Sequence, residues 1–380
     1  MAKRDETKAG GAAAAGDNGV SRRRVLAGAG AAAAGVHLFN INHAWSQDVS
    51  YDGGVFDAGG ATLPIAEWGG FWEENIRELL INDFERDFNC KVEYDSTWPW
   101  FPKFVAGGPE NPPYASTNWN LPEMFKTARA GDYFLSQEEI IANVPNAAGV
   151  WPFALNNGVG ITWAFGRYCY SYRTDLADPA PAIFEDFWQD QYSDKRATYI
   201  TSNTLFMAFF MTAAAIFGED EHDMEAGLDA MRRAMPMKIS DFTGNMSTLI
   251  ERGEATIGVH VDGEVYMQQE AGVPVAPMMW EQRKPILTQT QTLSRYSDPM
   301  QKKLAMALLN RRLDPEFITK FDGVFYLRPT HSEAAVHENL AAHGVENTAD
   351  AVDGLWIPDW NWWLENEDEI VETVNEIFAG

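Results

Sequence analysis

Positive charge is what this 380-residue chain has least of: 29 Lys and Arg stand against 55 Asp and Glu, a net charge of −26. Lys3, Arg4, Lys8, Arg22, Arg23 and Arg24 all fall in the first 46 residues, so the remainder is more acidic still. Such a surface repels phosphate backbones and anionic headgroups, which argues against nucleic-acid and membrane-surface partners. It suits a solvated acidic exterior of the kind found in salty water, and it would also steer a cationic ligand. Cysteine is nearly absent. Cys90 and Cys169 are the only two, enough for one disulfide or for two buried thiols, and neither stands where a lipid anchor would need it. No second apolar run approaches the roughly 20 residues of a membrane span, because residues 207–217 are only of helix-core length. No G-x-S-x-G, H-E-x-x-H or phosphate loop is present either.

What is present starts with Ser21-Arg22-Arg23-Arg24-Val25-Leu26, an alanine- and glycine-rich run over 27–35, and Ala44-Trp45-Ser46. A twin-arginine pair, a mildly apolar stretch and a small-x-small cleavage site read as an export address of the twin-arginine type, occupying residues 1–46. The exported remainder is expected to be periplasmic and soluble. It is long enough for two lobes.

Strand and helix signals alternate through that remainder. Residues 63–66 read as a strand, 71–88 as a helix with apolar Ile76, Leu79, Leu80 and Phe84, and 90–94 as the next strand. This strand–helix–strand opening predicts an α/β fold with a parallel sheet. Residues 98–120 read as irregular. Extended segments are expected at 158–163, 167–172, 197–200, 238–239 and 256–259. Helices are expected at 184–188, 205–217, 224–235, 247–252, 299–312 and 365–378.

The run Leu249-Ile250-Glu251-Arg252-Gly253-Glu254-Ala255-Thr256-Ile257-Gly258-Val259 resembles a hallmark of extracellular solute-binding proteins, a helix ending in x-G-E before a strand that feeds the ligand cleft. Ala271-Gly272-Val273-Pro274-Val275, Leu313-Asp314-Pro315-Glu316 and Tyr326-Leu327-Arg328-Pro329-Thr330 fit the same family in order. Ala66-Glu67-Trp68-Gly69 is similar to the strand end of its spermidine/putrescine-binding branch. The resemblance implies a two-lobe periplasmic binding protein (type II) fold, each lobe a mixed sheet flanked by helices, with the ligand cleft between lobes. Residues 58–164 and 263–312 would form lobe 1, and 165–262 and 313–380 lobe 2. It further implies a monomer that binds a small molecule, performs no chemistry, needs no cofactor, and works with the permease and ATPase subunits of an ABC importer. The twin-arginine translocon would be its partner during export.

Nine residues are candidates for the ligand site. Trp68, before two glycines, would form a cleft wall, and Trp98 with Trp100 and Trp119 would supply aromatic faces for an ammonium group. Ser116-Thr117-Asn118-Trp119 stands where the family's S-T-Y loop touches ligand, which singles out Asn118 and Trp119. Asp262 and Glu264 follow a strand where the family places its main carboxylate. At Thr201-Ser202-Asn203-Thr204 the polyamine pattern is departed from, since hydroxyl and amide groups replace acids. A helix start capped by Ser202 or Thr204 favours a neutral or anionic group. Arg328 is placed to clamp a carboxylate or phosphonate, and residues 243–247 would add an anion cradle. An aromatic wall, a carboxylate and an arginine together point to an amino-bearing solute, polyamine-like or zwitterionic. Two rivals remain: a ferric-iron carrier using Tyr168, Tyr170 and Tyr172, and an exported metal-dependent hydrolase using His331, Glu333 and His337.

Overall fold

Leu63 and Ile65 face one core while their neighbours face away, and this alternation makes β1 (Thr62–Ala66) a strand. The computed structural model describes residues 49–155 and 158–380, so the expected export signal at 1–46 lies outside the described residues. After β1 the chain turns at Gly69 and Gly70: Gly70 has φ +63°, and a Cβ at Gly69 would lie 2.9 Å from the Cβ of Ser96. Helix α1 (Phe71–Ile76) then passes through a π-helical turn, Arg77–Ile81, into α2 (Asn82–Phe88). β2 (Lys91–Asp95) returns parallel to β1.

The segment expected to be irregular holds α3 (Phe101–Gly107) and β3 (Ser116–Trp119). Surrounding prolines and glycines hide both, since β3 is four residues long. Next come α4 (Leu121–Ala130) and α5 (Gln137–Asn143), the latter closed by a Ser136–Glu139 capping box. The two extended segments expected at 158–172 are one strand, β4 (Ile161–Arg173). The second part of the chain supplies β5 (Arg196–Tyr199), α6 (Thr204–Phe217), α7 (Met224–Ala234), β6 (Met237–Ser240), α8 (Thr243–Glu251), β7 (Ile257–Val261), α9 (Asp262–Glu270) and β8 (Val275–Met279). It ends with β9 (Ile286–Leu293), α10 (Pro299–Arg312), α11 (Pro315–Phe325), β10 (Arg328–Pro329), α12 (Glu338–Ala341), α13 (Ala349–Val352) and α14 (Trp360–Ala379). Three local expectations shift. Helix α8 begins at Thr243, so residues 243–247 are its first turns and not a loop. Asp262 and Glu264 lie in the first turn of α9, and α14 begins five residues before Glu365.

Strand order is β2-β1-β3-β9-β4-β7-β5-β6, with β8 and β10 also pairing with β4. β4 belongs to both halves. Its first part pairs with β9 and β10, its second with β7 and β8. One core gathers Leu63, Ile65, Phe84, Trp163, Leu308 and Phe321 under α1, α2, α10 and α11. A second runs from Trp119 and Phe104 to Tyr170, Phe209, Trp280 and Trp363. The expected lobe boundaries at 262/263 and 312/313 do not coincide with these groupings. Strand β8 pairs in the second half-sheet, and Phe317, Ile318 and Phe321 of α11 pack in the first core. Backbone pairing and buried area override position in the chain here.

His260 on β7 is fully buried. The Val261 backbone N–H donates to its Nδ1 at 3.0 Å, so Nε2 carries the proton toward Ser247 Oγ at 3.1 Å. Burial pulls its pKa from 6.5 down to about 3. Because the folded value lies below the unfolded one, the unfolded chain takes up the proton first, and stability falls as pH drops through that window. We expect this residue alone to remove about 1.4 kcal/mol per pH unit between roughly pH 6 and pH 3. Urea midpoints measured across pH 4–7 should fall less steeply in His260→Gln; equal slopes would exclude this account.

Candidate ligand site at the convergence of strand ends

Strands β1, β2 and β3 run parallel, and β9 is antiparallel to both β3 and the first part of β4. β4 therefore runs in the same sense as β1–β3. Its second part is antiparallel to β7, and β5 and β6 run with β7. The carboxyl ends of the two strand sets thus run toward the middle of β4 from opposite directions. Trp119 ends β3 level with Thr290 and Thr162, while Val261 ends β7 opposite Tyr168. From Thr162 to Tyr168 is about 20 Å of strand. Open α/β sheets bind ligands beyond such carboxyl ends, and two facing sets leave room for a small solute.

Around that stretch the tertiary structure assembles an amide and indole network. Trp68 Nε1–H donates to Gln289 Oε1 at 2.7 Å, and its ring lies 4.8 Å from that of Trp100. Asn118 Nδ2 donates to the same Gln289 Oε1 at 2.9 Å, and Asn118 Oδ1 accepts the Trp163 indole N–H at 3.0 Å. Below them Glu67 and Arg312 form a buried ion pair at 2.7 Å; Trp72 Nε1–H donates to Glu67, and the guanidinium stands 4.6 Å from the Trp163 ring. Trp98 is half exposed, and its Nε1–H donates to Glu123 Oε2 at 2.6 Å. Burial holds the Glu123 carboxyl above its ordinary range, against hydrogen bonds from Trp98 and the backbone of Phe101 and Trp100.

Trp119 stands apart from its neighbours. It is fully buried, donates to Thr292 Oγ1 at 2.8 Å, and packs on Phe104 and Phe134. Its ring belongs to the core, because the strand alternation that turns Asn118 toward Gln289 turns Trp119 the other way.

The other half-sheet brings Ser202, Thr204 and Glu264 to the ends of β5 and β7. Ser202 is exposed. The α6 cap is Asn203, whose side chain accepts from the Leu205 N–H at 2.8 Å, so neither Ser202 nor Thr204 caps this helix. Burial raises the Glu264 carboxyl above its ordinary range, opposed by a hydrogen bond from Thr243. Asp262 and Arg328 meet each other. Asp262 Oδ2 accepts from Arg328 Nε and Nη2 at 2.9 and 2.7 Å, while Oδ1 accepts the backbone N–H groups of Arg167 and Gly263 at 2.8 and 3.0 Å. Residues 66 apart in the chain complete one another, joining α9 to β10 beside the middle of β4.

A groove of about 340 Å³ opens beside that middle, lined by Leu121 and Phe125 of α4, by Phe153, and by residues from Leu355 to Asn361. Phe153 packs edge-on against Phe165, 5.0 Å between ring centres. None of the nine predicted residues lines it. A larger cavity of about 410 Å³ lies between α7 and the end of α14, away from the strand ends; position at the strand ends, not size, marks the candidate site. Across the groove's flank, Lys126 and Arg129 of α4 pair with Glu367 and Glu365 of α14 at 2.8 and 2.7 Å. Helix α14 in turn packs through Trp363 on Phe206 and Phe210 of α6.

The residues of neither rival form a metal site among the described residues. Tyr168 and Tyr170 are buried in the core, their hydroxyls donating to the carbonyls of Thr204 and Phe184. Residues 331–337 are not helical, so the i,i+4 spacing of Glu333 and His337 does not bring them together. His337 instead caps α12. Among the described residues no three His, Cys, Asp or Glu side chains cluster as a metal site. Cys90 and Cys169 are both free thiols.

Sequence reasoning did not find Gln289, Glu123 or the Glu67–Arg312 pair. The only signal for Gln289 was the polar alternation Thr288-Gln289-Thr290-Gln291-Thr292, which is unusual for a central strand.

The same architecture is found in solved structures. The chain matches an ABC transporter structure from Clostridium perfringens with TM-score 0.69 and 18% identity, over 83% of this chain and 99% of that one. The chain has the fold of the ABC-transporter solute-binding proteins. PotD, the spermidine/putrescine substrate-binding protein of Streptococcus pneumoniae, matches with TM-score 0.65 and 15% identity, over 84% of this chain and all of that one. The Atu4243-GABA receptor matches with TM-score 0.67 and 13% identity, over 83% and 97%. In sequence, the spermidine/putrescine-binding periplasmic proteins of Salmonella typhimurium and Escherichia coli are 22% identical over 167 residues, 43% of this chain. The chain spans about half the length of these curated relatives. No family model matches it. Among the described residues no helix is long and apolar enough to cross a membrane.

Proposed function

We propose that this chain is the periplasmic solute-capturing component of an ABC importer, exported through the twin-arginine translocon, which takes up a small amino-bearing organic solute and delivers it to a permease and its ATPase. The observation that carries this reading is the convergence of two sets of strand ends on the middle of β4, within a solute-binding fold. Capture works by population shift. A ligand that contacts both halves only when they are closed favours the closed form by its difference in affinity.

Two features support an amine on the solute. Glu123 and Glu264, at the strand ends of opposite halves, are acids raised by burial, and neither makes an ion pair among the described residues. An ammonium group of the solute would supply an ion-pair partner to such an acid, which Lys126 affects only at longer range in the case of Glu123. Trp68 and Trp98 offer aromatic faces beside it.

The test is a thermal-shift screen of residues 47–380 against polyamines, quaternary amines, amino acids, aminophosphonates, sugars and ferric salts. A solute at 100 times its Kd should add about 2.7 kcal/mol of stability. We expect a shift with amine-bearing members only. A flat screen, or a visible charge-transfer band on adding ferric salt, would refute the reading.

A further inference from the structure

We propose that Gln289 selects solutes presenting an acceptor oxygen, a carboxylate above all, beside Trp68, so that the captured solute is a zwitterion with one ammonium and one carboxylate and not a polyamine. The inference rests on the solute-binding reading above and names its substrate class.

The orientation of the Gln289 amide is forced by its neighbours. An indole N–H can only donate. Trp163 therefore requires the oxygen of Asn118 on its side, at 3.0 Å, which turns the Asn118 NH₂ toward Gln289. Trp68 likewise requires an acceptor, and the Gln289 Oε1 receives both donors, at 2.7 and 2.9 Å. Two indoles and two amides thus form a relay with a single consistent polarity. Its open end is Gln289 Nε2, which carries two N–H groups and has no hydrogen-bond partner among the described residues.

Gln289 as a residue is only 7% exposed. It stands on β9 opposite Ala164, inside the stretch on which the strand ends converge. Nε2 is not among the fully buried polar atoms left without a partner, so it reaches solvent and is free to donate to an oxygen of the solute. An ammonium group brings only donors and would meet this amide donor to donor. The same stretch of β4 holds a second unsatisfied donor set: Arg167 Nε and Nη2 are buried without partners, while Nη1 pairs with Glu281 at 3.0 Å.

The probes are 4-aminobutyrate and putrescine, which share a chain and one ammonium end and differ in carrying a carboxylate or a second ammonium at the other. Calorimetric titration of the wild type should show 4-aminobutyrate bound at least 10-fold tighter. Gln289→Glu places an acceptor oxygen where Nε2 stands while still accepting from Trp68 and Asn118, and should shift the ratio toward putrescine by at least 10-fold. Gln289→Met should weaken 4-aminobutyrate without improving putrescine, and serves if the charged variant does not fold. Preference of the wild type for putrescine, or an unchanged ratio in both folded variants, overturns this inference alone. If the wild type binds neither probe and the broad screen is also flat, the solute-binding reading fails and takes this inference with it. If the screen finds other amines but the wild type binds neither probe, only the Gln289 assignment fails.

Discussion

Replacing Arg312 by Leu is expected to cost about 3–5 kcal/mol of stability, the range for removing one partner of a buried ion pair. The Arg312 and Glu67 side chains are 1% and 2% exposed and 2.7 Å apart. Without the guanidinium, the Glu67 carboxylate keeps only the Trp72 indole N–H as a partner, at 3.0 Å. The pair itself is imperfectly satisfied, since Arg312 Nε and Nη2 are buried without hydrogen bonds. Its net contribution is therefore small, and the expected loss comes from stranding a charge. Glu67→Gln combined with Arg312→Leu should accordingly recover most of the stability, because the neutral amide introduced by Glu67→Gln still accepts from Trp72. Urea unfolding of the single and double variants checks both statements. A loss below about 1 kcal/mol in Arg312→Leu, or no recovery in the double variant, would contradict the account. Glu67 also immediately precedes Trp68, so the single variant should weaken solute binding through the displaced end of β1.

Asp262→Ala should be nearly as damaging, at about 3–5 kcal/mol. Four hydrogen bonds converge on this fully buried carboxylate, from Arg328 twice and from the backbone of Arg167 and Gly263. Removing it leaves a guanidinium whose side chain is 13% exposed with no countercharge at this position. The result separates two roles for one residue. A carboxylate reserved for the solute would, when lost, abolish binding and leave the unfolding midpoint unchanged. A carboxylate that ties α9 to β10 would lower the midpoint with or without solute, and the geometry predicts this second outcome. Asp262→Asn, which retains one acceptor oxygen, should fall between wild type and Asp262→Ala. An unaltered midpoint in Asp262→Ala would return this acid to the list of ligand contacts.

The strand–helix alternation was legible because it rests on local burial. Leu63 and Ile65 alternate, Ile76, Leu80 and Phe84 recur at helical spacing, and residues of α6 are apolar on every side since this helix is buried on every side. The strand β9 was not legible. Its Thr and Gln side chains look like a surface segment, yet Gln289, Thr290, Gln291 and Thr292 are buried because they find partners in Asn118, Thr162, Ser116 and Trp119. Nothing in residues 286–293 alone discloses those partners.

The candidate site divides in the same way. The sequence by itself determined the acidic surface, the α/β alternation, and the placing of Trp68, Ser202, Thr204, Asp262 and Glu264 near the ends of strands, since each of these depends on residues close in the chain. Only the tertiary structure decided what those residues do there. It turned Trp119 into the core, satisfied Asp262 with Arg328, left Glu123 and Glu264 without an ion pair among the described residues, and aimed the Gln289 amide by two indoles distant in the chain. The reason is physical: hydrogen bonds and ion pairs are directional and short-ranged, so a polar residue's role is set by which group reaches within about 3 Å of it, and over separations of 66 to 221 residues only the fold chooses that group.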